Sequence, residues 1–208
     1  MPYVGNDVVD LKEPANAEKS QNSRFLKKIL TNAEIKFVQN AENPDTAVWS
    51  LWACKETAYK VIKKSRSTAA FLPRRWQVDF TKSQSAYSDG EVIFPGGDGV
   101  YIRLFSNSQY VYCFGADVLT ALDKLISSVK ILPDEKDGKA TNPSVFVRHC
   151  LGQNLAEHFS LNFRDIKIKR TRKNGELQPP CVYVAGRKTD IDISLSHDGR
   201  FVAYAFLS

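Results

Sequence analysis

The chain has 208 residues, 43% of them apolar and 11% aromatic, enough for one large core or two small ones. Charged residues make up 25%, and no apolar run approaches the ~18 residues of a bilayer span, which excludes wholesale disorder and a membrane-spanning helix. The formal charge is +6, spread evenly: residues 1–116 hold 15 basic and 12 acidic side chains, residues 117–208 hold 14 and 11. Such a surplus suits an anionic partner, whether a nucleotide phosphate, an acidic protein or nucleic acid, without choosing among them. The opening MPYVGNDVVD lacks the basic-then-apolar layout of a secretory leader, so a cytoplasmic location is expected. Cys54, Cys113, Cys150 and Cys181 lie far apart with no CxxC, and the three histidines form no HExxH. The cysteines read as small buried residues rather than disulfides or zinc ligands.

Along the chain, Val8 and Val9 within GNDVVDL predict an opening strand. Leu26, Ile29 and Leu30 give a helical face, and Thr31-Asn32-Ala33-Glu34 has capping-box spacing, so a helix is expected over residues 32–41 and an end at Asn43-Pro44-Asp45. Trp49, Trp52, Tyr59 and Ile62 fall near 3.6-residue spacing in a stretch without Gly or Pro, predicting a helix over residues 47–64. Strands follow over 76–80, 91–94, 100–104 and 110–114, with turns at 85–90 and 95–99. Next, Leu119, Leu122, Leu125 and Ile126 suggest a helix, and residues 133–142 an exposed connection. Asn142-Pro143 is a cap and first position for a helix reaching His158. Strands are then expected over 166–169 and 182–184, with a turn at Lys173-Asn174-Gly175 and a final pair within 191–206.

Residues 102–111 (IRLFSNSQYV) lie over 193–202 (ISLSHDGRFV) at an offset of 91, preserving Ile, Leu, Val and an aromatic. The fold class expected is therefore α+β: a duplicated α/β unit, residues 1–118 and 119–208, forming a pseudo-dimer with the active site between the halves. Because the polar residues of the two copies differ, one asymmetric site is expected rather than two. Chance similarity of two amphipathic strand pairs is the alternative.

Glu56 and Lys60 share a helix face at i and i+4. They suit either a surface ion pair or, beside Trp52 and Tyr59, a site against the core. Asp7 and Asp10 are interleaved with apolar strand residues, where a carboxylate is costly unless capped, paired or bound to a cation. Magnesium takes one or two such carboxylates and completes its shell with waters and phosphates. Ser196-His197-Asp198 cannot act as a hydrolase triad within a strand, because neighbours point to opposite faces. What remains is His197, with Ser196, as a phosphate-contacting pair or a capped turn before Gly199. Lys167, Lys169, Arg170, Arg172 and Lys173 form the densest basic run, either a solvated strand face or a contact for an anion. Neither a Walker loop nor GxGxxG is present.

Three of these segments together resemble the 4'-phosphopantetheinyl transferase superfamily. Gly5-Asn6-Asp7-Val8-Val9-Asp10 is similar to its opening G-x-D-[IV]-x-[DE] strand, Trp52 to Lys60 to its W-x-x-K-E-x-x-x-K helix, and Ser194 to Asp198 to its S-x-S-H-[DS] strand. The halves stand in swapped order relative to the family's two-domain type, and the motif order is that of the holo-acyl-carrier-protein synthase type. The resemblance implies transfer of 4'-phosphopantetheine from coenzyme A to a serine of an acyl- or peptidyl-carrier protein, in lipid or polyketide biosynthesis. It implies magnesium held by Asp7 and Glu56, with Glu56 helping to remove the serine proton and Lys60 neutralising the leaving 3',5'-ADP. His197, with Ser196, would contact coenzyme A phosphate, and Lys55 would add charge nearby.

The partners implied are an acidic carrier protein and coenzyme A, with no nucleic acid and no membrane. Both sides of the site would sit in one monomeric chain. The family's Gly-Lys-Pro turn stands here as Gly175-Glu176-Leu177, and Val9 replaces an acid common in the two-domain type. Two readings compete with the transferase: a non-catalytic carrier-protein or coenzyme A binding module of the same fold, and an RNA-binding protein using the basic run.

Overall fold

The computed structural model describes residues 2–133, 140–173 and 175–207, the side chain of Lys173 excepted. The opening strand, β1 (Val4–Asp10), is longer than Val8 and Val9 alone predict, and every residue in it is buried. Asn22 caps α1 (Ser23–Ile29), and the capping box of Thr31 and Glu34 starts α2 (Asn32–Gln39) as its spacing predicts. Asn43-Pro44 does more than end that helix. Asn43 Oδ1 accepts from the Thr46 amide and Pro44 takes the first position of α3 (Pro44–Ser65), the same use of Asn-Pro that opens α4 (Pro143–His158).

Strands β2 (Gln77–Ser83), β3 (Ser88–Ile93), β4 (Gly99–Ser106) and β5 (Tyr110–Ala116) form an antiparallel meander, and β5 returns to pair with β1. The sheet order is β1-β5-β4-β3-β2, which leaves β1 at an edge. The helix α3 packs across this sheet, burying Val48, Leu51, Cys54, Ala58 and Val61 against Ile102, Val111 and Cys113.

The approach of α3 to the sheet is close. A Cβ on Gly5 would stand 2.2 Å from the Thr57 carbonyl oxygen and 2.9 Å from Val61 Cγ2, so glycine lets β1 slide under the helix. Gly5→Ala is therefore expected to lower stability by about 1–3 kcal/mol, read by urea denaturation. An unchanged midpoint would contradict the packing of α3 on β1.

The apolar run at 119–126 is not a helix of the expected length. Residues Leu119–Lys124 form a 3-10 turn, and Ile126 opens a strand, β6 (Ile126–Ile131). The four residues read a helical period into what is a turn followed by Ile-Ser-Ser-Val-Lys-Ile. The long-range pairing of that segment with the last strand decides its conformation.

After α4 come β7 (Ile166–Lys169), β8 (Arg172–Lys173), β9 (Glu176–Leu177), β10 (Cys181–Val184) and β11 (Arg187–Lys188). The chain closes with β12 (Asp192–Asp198) and β13 (Phe201–Leu207). The expected connection at 133–142 and the turn at 173–175 fall partly outside the described residues, at 134–139 and 174. In sheet order, β13 lies between β12 and β6, and β10 lies between β11 and β7. The architecture is mixed α+β. A second core lies under α4, where Val147, Leu151 and Leu155 meet Val182, Ile193, Tyr204 and Phe206.

The segments expected to repeat pair in the same register. Leu104 faces Cys113 in the first hairpin, and 91 residues further on Leu195 faces Tyr204 in the second. β1 also pairs with β5, and β6 with β13.

A third apolar cluster joins the two hairpins, with Val8, Tyr112 and Phe114 against Phe201, Ala203 and Ala205. Above it, the free edge of β1 runs beside β12, and the amides of β1 find side chains rather than backbone. Val4 N donates to Asp192 Oδ2 (2.6 Å), Asn6 N to Ser194 Oγ (3.0 Å) and Asp10 N to Asp198 Oδ2 (2.8 Å). Asp192, Ser194 and Asp198 of β12 thus satisfy edge donors that would otherwise be buried unpaired.

Candidate active site

Asp7 lies midway along β1, under α3. One helical turn separates Glu56 from Lys60, and both project towards Asp7 from the same face of α3. The Lys60 ammonium pairs with Asp7 rather than with Glu56. Its Nζ donates to Asp7 Oδ1 and to the Asn6 carbonyl, each at 2.8 Å, which leaves one N–H for a ligand.

Both acids are held above their ordinary range, and Asp7 contributes to the shift of Glu56. Burial pushes the Asp7 carboxyl above its ordinary range, and Lys60 only partly pulls it back. Burial and then the charge of Asp7 push Glu56 up to about 7, with Lys60 opposing. Two carboxylates that both gain from a nearby positive charge are poised for a cation.

The opposite wall comes from β12. Ser196 is buried, and its Oγ accepts from Asn6 Nδ2 at 2.9 Å, so the hydroxyl hydrogen stays free to donate. His197, on the other face of the strand, is exposed. The contrast between buried Ser196 and exposed His197 fits the alternation that argues against a hydrolase triad.

Lys64 ties the walls together: its buried Nζ donates to Val4 O (2.6 Å), Asp192 Oδ2 (2.6 Å) and Ile193 O (2.8 Å). Burial lowers the Lys64 pKa while Asp192 opposes that shift.

Between these walls lies an open cavity of about 390 Å³, within the range of small-molecule sites. Asp7, Glu56, Lys60, Ser196 and His197 all line it, so residues far apart in sequence meet in one place. Further cations at its border are Lys63, Arg148 and Arg170. Among the described residues of the basic run Arg170 reaches it, whereas Lys169 lies over the Tyr183 ring at 5.6 Å. A smaller cavity of about 140 Å³ shares Asp7, Glu56 and His197 and has Trp49 and Trp52 in its wall.

Lys55 does not join them, which corrects the expectation that it adds charge beside coenzyme A. Its side chain is fully buried on the other side of α3, where Nζ donates to Glu34 Oε2 (2.6 Å), Ile29 O (3.0 Å) and Pro73 O (2.9 Å). Adjacent residues on a helix diverge by about 100°, so Glu56 in the groove turns Lys55 into the core. Asp10 also stays out of the groove, held by Arg200.

Sequence reasoning missed Lys64, Asp192, Asn6 and Arg148. A signal existed for two of them. Lys64 continues the Glu56–Lys60 face by another turn, and Asp192-x-Ser194-x-Ser196-x-Asp198 repeats at the period of a strand.

The donors present suit magnesium. Asp7 and Glu56 offer hard oxygens, and among the described residues no cluster of three or more His, Cys, Asp or Glu could enclose an ion. Two carboxylates and an open side leave the remaining positions to waters and phosphate oxygens, as magnesium prefers.

Two carboxylates and a lysine set against a serine and a histidine, around an open basic groove, suit group transfer from an anionic donor. The family model of the 4'-phosphopantetheinyl transferase superfamily matches residues 3–113, just over half of the 208-residue chain. The chain belongs to that superfamily, and is a transferase of the phosphopantetheinyl class. The matched stretch carries Asp7, Glu56 and Lys60; Ser196 and His197 lie beyond it. No curated protein gives a significant sequence match. Among the described residues no helix is long and apolar enough to cross a membrane.

Proposed function

We propose that the chain transfers 4'-phosphopantetheine from coenzyme A to a serine hydroxyl of an acyl- or peptidyl-carrier protein, with magnesium. The observation that carries this reading is the shared groove: Asp7, Glu56 and Lys60 line it together with Ser196 and His197. Asp7 and Glu56 would hold magnesium, which supplies charge neutralisation at the coenzyme A diphosphate. His197 and the free hydrogen of Ser196 contact coenzyme A phosphate from the β12 side.

The serine oxygen attacks the phosphorus bearing the pantetheine arm. The bond from that phosphorus to the bridging oxygen breaks, and 3',5'-ADP leaves. The serine proton passes to the Glu56 carboxylate. Lys60 faces the leaving group with its remaining N–H. No bond to the protein forms; the chain positions, neutralises and accepts one proton. The smaller cavity beside Asp7, Glu56 and His197 gives the serine side chain room to approach without crossing the donor.

The common register of the two hairpins and the matching first-to-last strand pairing support a duplicated unit, residues 1–118 and 119–208, with the site between its copies. The groove's surplus of cations over its two carboxylates favours an acidic carrier. A binding module of the same fold would hold coenzyme A without turnover, which calorimetry beside an activity assay distinguishes.

Magnesium offers a test that needs no carrier protein. Adding it at pH 8 is expected to raise the thermal midpoint of the wild type and leave Asp7→Asn unmoved, read by scanning fluorimetry. An equal rise in both proteins would remove Asp7 from the metal site.

A further inference from the structure

Asp10 is a buried acid that the groove does not use. Its carboxylate accepts four hydrogen bonds: Oδ1 from Arg200 Nη2 (2.7 Å) and the Lys12 amide (2.8 Å), Oδ2 from Arg200 Nε (2.8 Å) and the Arg200 amide (2.9 Å). Burial pushes its pKa up, but Arg200 and the two amides outweigh that and hold it below the ordinary range.

The exchange is reciprocal. Asp10 N donates to Asp198 Oδ2 at 2.8 Å, and Asn16 Nδ2 bridges the same Asp198 oxygen (2.6 Å) and the Asp10 carbonyl (3.0 Å). Gly199, between Asp198 and Arg200, has φ of +48°, and a Cβ there would lie 2.6 Å from Asp10 Oδ2. Glycine lets the turn close onto the carboxylate.

The last residues of β1 and of β12 are therefore bound to each other on both sides of the β12–β13 turn. His197 immediately precedes the bound Asp198, and Asp7 lies three residues before Asp10. We propose that Asp10 and Arg200 are a positioning pair that fixes His197 opposite Asp7 and Glu56. The pair touches no substrate itself and acts on the anionic donor only through His197. The donor's identity rests on the transferase reading; the placement of His197 does not.

The wild type, Arg200→Ala, Arg200→Lys and His197→Ala are compared in two measurements. Asp10→Asn serves in place of Arg200→Ala should that variant not fold, although an Arg200 side chain 49% exposed favours folding. The first measurement is the imidazole signal of His197 in the ligand-free protein, assigned by its loss in His197→Ala. It is expected to move in Arg200→Ala and return part of the way in Arg200→Lys.

The second is calorimetric affinity for coenzyme A with magnesium. Arg200→Ala and His197→Ala should each weaken binding about tenfold, and the double variant should be no weaker than His197→Ala alone. An unmoved His197 signal, or losses that multiply in the double variant, would overturn the positioning role. A wild type that binds no coenzyme A would sink the transferase reading, while the His197 signal would still decide the role of Arg200.

Discussion

Glu56→Gln is expected to slow transfer of the phosphopantetheine arm by about 10²–10⁴-fold, the usual contribution of a general base, while leaving the fold intact. The amide keeps the size of the side chain and loses the ability to take a proton. Its loss should appear in turnover at saturating coenzyme A and magnesium, because Lys60, Ser196 and His197 still line the groove. Turnover of Glu56→Gln within a few-fold of wild type would remove Glu56 from the chemistry.

The same substitution has a second consequence, of opposite sign. Without metal, the Glu56 pKa is raised from 4.5 to about 7, so folding favours the neutral acid. That favourable contribution is fully present below 4.5 and is lost as pH rises through 7. A neutral glutamine suffers no such loss. Metal-free Glu56→Gln should therefore be more stable than wild type at pH 8 by about 1–3 kcal/mol, with the gap closing towards pH 5. Thermal denaturation in a chelating buffer at the two pH values measures it. A gap independent of pH would mean that Glu56 is not held above its ordinary range.

Lys55→Met should produce the largest loss of stability, about 3–5 kcal/mol by urea denaturation. It leaves the Glu34 carboxylate buried without its counter-charge. Glu34 would keep the Thr31 and Val78 amides, at 2.7 and 3.0 Å, but two amides do not neutralise a full charge. Replacing both partners, with Glu34→Gln beside Lys55→Met, should recover part of the loss. Coenzyme A affinity per folded molecule should not change, because the Lys55 nitrogen faces Ile29, Glu34 and Pro73. A loss below about 1 kcal/mol, or a selective fall in coenzyme A affinity, would restore Lys55 to the groove.

Local signals were legible where short-range chemistry decides the structure. The capping box of Thr31 and Glu34 and the Asn142-Pro143 cap both open helices where the spacing predicts them. The periodic stretch around Trp49 and Trp52 also forms the long helix expected of it. Segments decided by distant pairing were not legible. Ile126 to Ile131 becomes a strand because β13 offers it an edge, and nothing within six residues announces that.

The site divides in the same way. Asp7, Glu56 and Lys60 stood out as charges in apolar surroundings, and Ser196 and His197 followed from the motif. The place of Lys55 was legible too, since a neighbour of Glu56 on the same helix diverges from it by about 100° and so turns into the core when Glu56 faces the groove. Asp192 and Lys64 were passed over because polar residues at strand and helix spacing ordinarily mark a solvated face, whereas here they bind α3 to β12.

Mass spectrometry of an apo-carrier protein incubated with the chain, coenzyme A and magnesium tests the central claim most directly. Transfer predicts a carrier heavier by one phosphopantetheine arm on a single serine, release of 3',5'-ADP in equal amount, and neither product with His197→Ala and Glu56→Gln combined. Binding of coenzyme A across a panel of acidic apo-carriers with no mass gain on any of them would contradict it, and would leave a groove that holds the donor without using it.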